Sequence, residues 1–443
     1  MLKRKILNIL LKWKEDRKSQ NLKECLTILG ARQVGKTYLI EKQLKKEYKT
    51  FLKINFAETP NAKEIFAGSK TKDDIFKKLT AYFSNEQMHY GDTLLFLDEI
   101  QKCGDARTAI KFMAEDFRYD VITSGSLLGL AYGDDDDDEI TEPDSIPVGY
   151  ERKIRMYSLD FEEFLWAMGV NDDAIGILKD YFNQLEKIPN VINEKYEQLF
   201  REFMVLGGMP EVVDNFAQYH DFARAFDIQN KILSNYEDDI AKHAKGTEKI
   251  KVKGCYDSIK RQLAKEFKKF QYSNVEKKQT AKKYGGSVKW LIDSNIVNPC
   301  YNVFEPFIPL AGNEKENEFK LYMHDIGLLC SMYGNETKKL LLSGKLKGNV
   351  KGGIYENVIA ESLVKKGYKL HYYHPNDNRE LEFIIEKDGE VVPIEVKSTN
   401  STTISLNDFI SEFNPSIAYK IIEGNIGKIN AKVTLPHYMV MFL

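Results

Sequence analysis

The stretch Gly30-Ala31-Arg32-Gln33-Val34-Gly35-Lys36-Thr37 decides how the rest of the chain is read. It follows an apolar run, Cys25-Leu-Thr-Ile-Leu29, with the character of a buried strand, and it opens a segment of helical pattern. A G-x-x-x-x-G-K-[ST] loop in that setting is built to hold phosphate, because its glycines let successive backbone N–H groups curl around the oxyanion. The helix that follows adds the partial positive charge of its N-terminus. Residues 30–38, ending on Tyr38, are therefore the expected nucleotide-binding segment, for ATP. Lys36 is placed to reach the β- and γ-phosphates, and the Thr37 hydroxyl to ligate Mg²⁺.

Downstream, Leu94-Leu-Phe-Leu97-Asp98-Glu99-Ile100-Gln101 is an apolar strand that ends in two acids. Asp98 at the strand's C-terminal end suits the Mg²⁺ shell, and Glu99 beside it suits orientation or deprotonation of the attacking water. One strand later, Val121-Ile-Thr-Ser124-Gly125-Ser126 brings small hydroxyls to another strand end. Ser124 or Ser126 could meet the γ-phosphate or the water; the alternative is a simple ST-turn closing the strand. Strands are expected at 25–29, 50–56, 93–97, 119–123 and 153–157, alternating with helical segments. Continuous apolar runs such as 94–97 suit a parallel sheet covered on both faces, so the first domain (1–165) is expected to be a three-layer α/β P-loop NTPase core.

With 443 residues, 43% of them hydrophobic, 29% charged and a net charge of −2, the chain is long enough for two or three globular domains and has no bulk charge drawing it to nucleic acid or membrane. Five scattered cysteines (Cys25, Cys103, Cys255, Cys300, Cys330), none in a CxxC pair, read as reduced thiols of a cytoplasmic protein. At the N-terminus, Leu2, Ile6, Ile9, Leu10 and Trp13 recur at helical spacing, which points to an amphipathic helix rather than a signal sequence. No segment is apolar for long enough to span a bilayer. The acidic run at 134–138 reads as a solvated loop, since like charges repel and supply no fixed cage.

These motifs resemble the AAA+ ATPases, in particular a prokaryotic family of predicted ATPases that joins a P-loop domain to a C-terminal domain of unknown function. Beyond the loop and Leu97-Asp-Glu-Ile-Gln101, the resemblance rests on Ser124-Gly-Ser126, Pro147-Val-Gly149 and Tyr157-Ser-Leu-Asp-Phe-Glu-Glu-Phe164. Gly207-Gly-Met-Pro-Glu211 and Leu321-Tyr-Met-His-Asp325-Ile-Gly-Leu328 extend it over most of the chain. Many relatives carry Gly-Arg where this chain has Gly149-Tyr150, so an arginine finger is unassigned. Arg152 and Arg155 are candidates, with surface salt-bridging the more ordinary role.

The middle (166–345) is expected to be a helical lid followed by a winged helix. Residues 241–290 hold 15 Lys/Arg against 4 Asp/Glu. Within them Ile259, Leu263, Phe267 and Phe270 space as one helical face. Helices over 273–283 and 287–296, joined through Gly285-Gly286 and followed by an extended stretch at 300–304, give the winged-helix order, and the resemblance points the same way. Such a basic surface is a candidate DNA contact; the alternatives are a solvated lysine face or a contact to the acidic remainder of the chain. After 345, Glu380-Leu-Glu382 and Glu395-Val-Lys397 fall on two strands joined at Lys387-Asp388-Gly389. Their alternation allows Glu382, Glu395 and Lys397 to meet, behind a helix bearing Glu356. That is the constellation of a PD-(D/E)xK nuclease, and the resemblance implies a restriction-endonuclease-like fold for 346–443. E-x-K on a strand is also an ordinary cross-strand ion-pair pattern. The expectation is an ATPase that switches its C-terminal half on DNA. The alternative is a non-catalytic, ATP-regulated module that binds a protein partner and carries an inactive nuclease-like domain.

Overall fold

The structure, a computed structural model, describes residues 1–68, 71–125, 149–243, 246–277, 280–376, 379–399 and 403–443, with the side chains of 243–247 left out. It divides into two compact units, residues 4–157 and residues 1–3 with 158–443. Ser126, the Pro147-Val148 pair and the acidic run at 134–138 lie outside the described residues.

The first unit is a five-stranded parallel sheet. Its strands are β1 (Cys25–Leu29), β2 (Thr50–Asn55), β3 (Thr93–Asp98), β4 (Asp120–Gly125) and β5 (Glu151–Arg155), in the order β2-β3-β4-β1-β5. Every residue of β1, β3 and β4 is buried, which the apolar runs required. Alternate side chains of β3 serve opposite layers. Leu94 and Phe96 join Ile6, Leu10, Trp13, Leu39 and Ile40 on one side, and Leu95 and Leu97 join Ile75, Leu79, Ile110 and Met113 on the other. Edge strand β5 keeps a charged, partly exposed sequence, which discourages pairing with another chain.

Helix α1 (Lys5–Gln20) buries Ile6, Leu10, Trp13 and Arg17, a repeat of about one helical turn, while Ile9, expected on this face, is exposed. Arg17 is the clip. Its Nε donates to Asp120 Oδ1 at 2.9 Å, and its Nη atoms donate to the carbonyls of Leu22, Glu24, Ala114 and Asp116. Tyr48 donates its hydroxyl to the other Asp120 oxygen at 2.8 Å. The helices α2 (Lys36–Lys42), α3 (Lys72–Tyr82) and α4 (Gly104–Ala114) complete the layers.

The second unit starts with helices α5 (Phe161–Ala167), α6 (Asp172–Gln184), α7 (Asn190–Leu206), α8 (Pro210–Tyr219), α9 (Phe222–His243), α10 (Gly246–Leu263) and α11 (Ala281–Asp293). Strands β6 (Val297–Val303) and β7 (Glu314–Met323) lead to α12 (Ile326–Tyr333), α13 (Asn335–Leu342) and α14 (Gly348–Lys365). There follow β8 (His371–Asn376), β9 (Arg379–Lys387), β10 (Glu390–Val396), α15 (Ile404–Phe413), β11 (Ala418–Ile422), β12 (Gly427–Ile429) and β13 (Lys432–Pro436). All eight strands form one sheet in the order β12-β13-β11-β10-β9-β8-β6-β7.

The expected boundary near 345 therefore has no counterpart in the packing. Strands before and after it share that sheet, and one apolar core runs from Leu159 to Leu443. The expected helix break at Gly285-Gly286 is also absent, because both glycines lie inside the continuous helix α11. Each costs about 1 kcal/mol relative to alanine, and burial of Tyr284, Val288 and Leu291 on the core outweighs it. In place of a helix over 273–283 there is a short 3₁₀ turn, Tyr272–Asn274, ahead of α11. Ile259 and Leu263 are buried as their spacing predicts, but α10 ends at Leu263; beyond it Phe267 is 50% exposed and Phe270 is buried against Phe319.

Two of the quoted motifs meet in this core. Gly207 has φ +70°, and a Cβ there would lie 2.2 Å from Asp325 Oδ1. Asp325 accepts from the Gly208 N–H at 2.8 Å and caps α12 through the Leu328 N–H at 3.1 Å. The β9–β10 hairpin turns on Asp388 and Gly389, both at positive φ, with Lys387 paired to Glu390. This is the two-residue turn an Asp-Gly pair favours.

Arg17→Ala would leave Asp120 and four carbonyls without their cation in a buried setting. The expected cost is roughly 3–5 kcal/mol, read as a lower urea midpoint for the first unit. A midpoint equal to that of the parent protein would show that the clip contributes nothing.

Candidate nucleotide site and carboxylate–lysine cluster

Strand β1 delivers the chain into the loop at Gly30, and α2 takes it out at Lys36. Gly30 is required by space, since a Cβ there would sit 2.2 Å from the Met156 carbonyl oxygen. Gln33 (φ +64°) and Gly35 (φ +94°) take left-handed backbone, which folds the loop back over itself. Val34 is buried beneath it, Ala31 is buried, and Arg32, Gln33 and Tyr38 face outward. The Lys36 ammonium lies inside the loop, donating to the carbonyls of Gly30 and Ala31 at 2.9 Å each. Burial lowers its pKa to about 8, against the opposing pull of Glu99 and Asp98.

Asp98 is the organising acid. It is buried at the end of β3, one strand removed from β1 because β4 lies between them. Its Oδ2 accepts from Thr37 Oγ1 at 3.0 Å and from Asn55 Nδ2 at 3.4 Å, and its Oδ1 accepts a short hydrogen bond from Ser124 Oγ. The ends of β2, β3 and β4 and the start of α2 thus meet on one carboxylate. Glu99 takes left-handed backbone (φ +54°), turning its side chain away from the strand direction, and Gln101 Nε2 donates to its Oε2 at 2.6 Å. Asn55 was not singled out by the sequence, and Gln101 was quoted there only as the end of the acidic motif, without a role. Asn55, a polar residue ending β2 in register with Asp98, is the signal that could have found it.

The hydroxyl of Thr37 and the carboxylate of Asp98, already in contact, form an oxygen-only donor pair that fits a hard divalent ion such as Mg²⁺. Of the arginines considered as fingers, Arg152 pairs with Glu24 at 2.9 Å, and Arg155 is exposed on the edge strand.

In the second unit the structure brings Glu382, Glu395 and Lys397 together. The register of β9 and β10, with Phe383 opposite Ile394, sets Glu382 opposite Glu395. Two like charges in that position repel unless a cation lies between them. Lys397 Nζ is that cation, 2.6 Å from Glu382 Oε1 and 3.0 Å from Glu395 Oε1. The remaining oxygens accept backbone N–H groups, Glu382 from Val396 at 3.2 Å and Glu395 from Leu406 at 3.0 Å. Burial, with the Glu395 and Glu356 charges, still pushes Glu382 up to about 7 despite Lys397. Lys397 is held above the usual lysine range because both carboxylates outweigh its own burial.

Glu356 is engaged elsewhere. On α14 it pairs with Lys320 at 3.0 Å and Lys268 at 2.8 Å and accepts a short bond from the Tyr322 hydroxyl. Burial alone would raise its pKa, but the two lysines hold it down at about 2. Lys320 reaches a second carboxylate, Glu380, at 2.7 Å. Among the described residues no group of three or more His, Cys, Asp or Glu side chains is arranged to hold a metal ion. The acids converge on ammonium groups.

Part of the basic segment is spent on such pairs. Besides Lys268, Lys269 meets Glu318 at 3.0 Å and Lys253 meets Glu237 at 2.5 Å. Lys260 and Arg261 donate to the carbonyls of Met332 and Asn274.

Three stretches of the chain match known families. Residues 22–165 match the family described as an AAA domain, which supports a P-loop ATPase reading of that stretch. Residues 197–339 and 351–428 match two domains of unknown function, DUF8612 and DUF4143. No curated protein matches the chain. A similar solved structure is a Walker-type ATPase of Pyrococcus abyssi, 14% identical, with a TM-score of 0.40, covering 75% of this chain and 96% of that one. No helix among the described residues is long and apolar enough to cross a membrane.

The depressed Lys36 pKa has a signed consequence. Below about 8 the Lys36 side chain is an ammonium, and above it a neutral amine. Affinity for a fluorescent ATP analogue is therefore expected to fall as pH rises through that value, by up to about tenfold per pH unit. A flat titration between about pH 7 and about pH 9.5 would contradict the assignment of Lys36.

Proposed function

We propose that the chain is a Mg²⁺-dependent ATPase whose nucleotide cycle regulates a nuclease-like second unit. The observation that carries this reading is the meeting of Thr37, Ser124 and Asn55 on buried Asp98, with Glu99 the next residue in the chain. In this reading Lys36 leaves the carbonyls of Gly30 and Ala31 to hold the β- and γ-phosphates, and the loop N–H groups cradle them. Thr37 and Asp98 would hold Mg²⁺, which when bound neutralises charge on the phosphate oxygens. Ser124 fixes the Asp98 carboxylate and would meet the γ-phosphate. Glu99, positioned by Gln101, orients the water and takes its proton.

Phosphate release by the purified chain tests this. Lys36→Ala is expected to lose nucleotide binding and turnover together. Glu99→Gln should keep binding and lose turnover by at least about a hundredfold, the scale of general-base removal. Full turnover in Glu99→Gln would remove that residue from its role.

A second reading concerns the nuclease-like module. The order α14-β8-β9-β10-α15-β11, with β9 antiparallel to β8 and β10 and β11 parallel to β10, supports a PD-(D/E)xK-like core. The engagement of Glu356 by Lys268 and Lys320 favours a module that binds without cutting, because its first carboxylate is already neutralised. DNA remains the candidate partner through 241–290, with a protein partner as the alternative. Supercoiled DNA incubated with the full chain and Mg²⁺ or Mn²⁺ should stay intact. Metal-dependent nicking that Lys397→Ala abolishes would restore the cleaving alternative.

A further inference from the structure

The phosphate loop works only if the N–H groups at its apex point inward, so the carbonyls of those same peptides must be held outward, unlike those of Gly30 and Ala31, which face Lys36. Each peptide is planar, and its C=O and N–H point in opposite directions. Whatever anchors the Val34 carbonyl thereby sets the direction of the Gly35 N–H. In this chain the anchor is Arg4, which the loop motif does not include. Arg4 precedes α1, is 92% buried, and donates from Nη1 to the Val34 carbonyl at 3.2 Å. Its other nitrogen, Nη2, donates to the Tyr157 carbonyl at 2.7 Å.

The second contact gives the anchor its rigidity. Tyr157 follows Met156, whose N–H donates to the Leu29 carbonyl at 2.7 Å and whose own carbonyl blocks any side chain at position 30. The guanidinium thus bridges the outer side of the loop to the segment that leaves β5 and packs on the loop's first glycine. A planar fork suits this bridge because it presents two donors at a fixed spacing, which a lysine cannot reproduce.

We propose that Arg4 is a positioning residue for the nucleotide site: it fixes the Val34–Gly35 peptide so that the Gly35 N–H faces the phosphates. This rests on the reading of residues 30–37 as the nucleotide site. Removing the guanidinium frees that peptide to rotate, and each rotated loop presents a carbonyl oxygen where the phosphate needs a donor. The loss falls on nucleotide affinity rather than on the hydrolytic step, because Glu99 and Asp98 are anchored separately from Arg4.

The test is steady-state ATPase kinetics on the full chain, with Arg4→Gln and Arg4→Lys beside the parent protein, each normalised to folded fraction by near-UV circular dichroism. Arg4→Gln should raise KM for ATP about tenfold, the scale of a lost charge-assisted hydrogen bond, and change kcat by less than about threefold. Arg4→Lys, which keeps the charge and one donor, should fall between the two. An Arg needed only for folding would lower the active fraction and leave KM where it was. Where Arg4→Gln does not fold, Arg4→Lys decides alone: KM severalfold above the parent supports the assignment. A parent-like KM in either folded variant overturns it, whatever happens to kcat. Failure of the parent protein to bind ATP would instead remove the nucleotide-site reading and this inference with it.

Discussion

A buried carboxylate at the end of a strand must be surrounded by donors, and Asp98 obliges the first unit to supply them from three directions. Thr37 comes from the helix after the phosphate loop, Asn55 from the neighbouring strand on one side, and Ser124 from the neighbour on the other. Because β4 lies between β1 and β3, the loop and the acid sit on strands that are not adjacent, and Ser124 ends the strand between them. The parallel register then matters to within a residue. A slip of one position on β4 would turn Ser124 to the other face and leave Asp98 short of a donor. The rest of the unit, including the Arg17 clip at the opposite end of β4, keeps that register in place.

The second unit meets a similar constraint with the opposite chemistry. Strand pairing sets Glu382 against Glu395, and a nearby helix adds Glu356, so several carboxylates are drawn out of water together. An unpaired buried carboxylate is far more costly than a paired one. The chain supplies ammonium groups from three separate places: Lys397 just after β10, Lys320 on β7, and Lys268 from the basic segment. That distribution explains why 268 and 320 belong to the same unit as 382 and 397. Their partners, Glu356 on α14 and Glu380 on β9, lie far from them in the sequence.

Legibility followed the range of the interactions. The five strands of the first unit and the Asp388-Gly389 turn depend on local pattern and backbone preference, and the structure has them close to where the sequence puts them. Glycine in a helix is a local penalty, which is why Gly285-Gly286 read as a break. Burial of Tyr284, Val288 and Leu291 overrode it, and that burial is visible only once the core exists. Phe267 shows the same limit from the other side. Its spacing matched the buried face, but the helix ends at Leu263 and carries the pattern no further.

By itself the sequence determined the glycine-lysine loop motif at 30–37, the strand that ends in acids at 98 and 99, and the alternation that makes the first unit α/β. Each is written in residues close together in the chain, where spacing and backbone geometry are nearly the whole of the physics. Only the tertiary structure decided that Asn55 and Ser124 serve Asp98, and that Lys268 and Lys320 occupy Glu356. It alone decided that the chain after 345 shares a sheet with β6 and β7. Those outcomes depend on desolvation and on which distant groups are brought within about 3 Å of one another, the range of a hydrogen bond. The distance between two side chains across a sheet is not written in the spacing of either one.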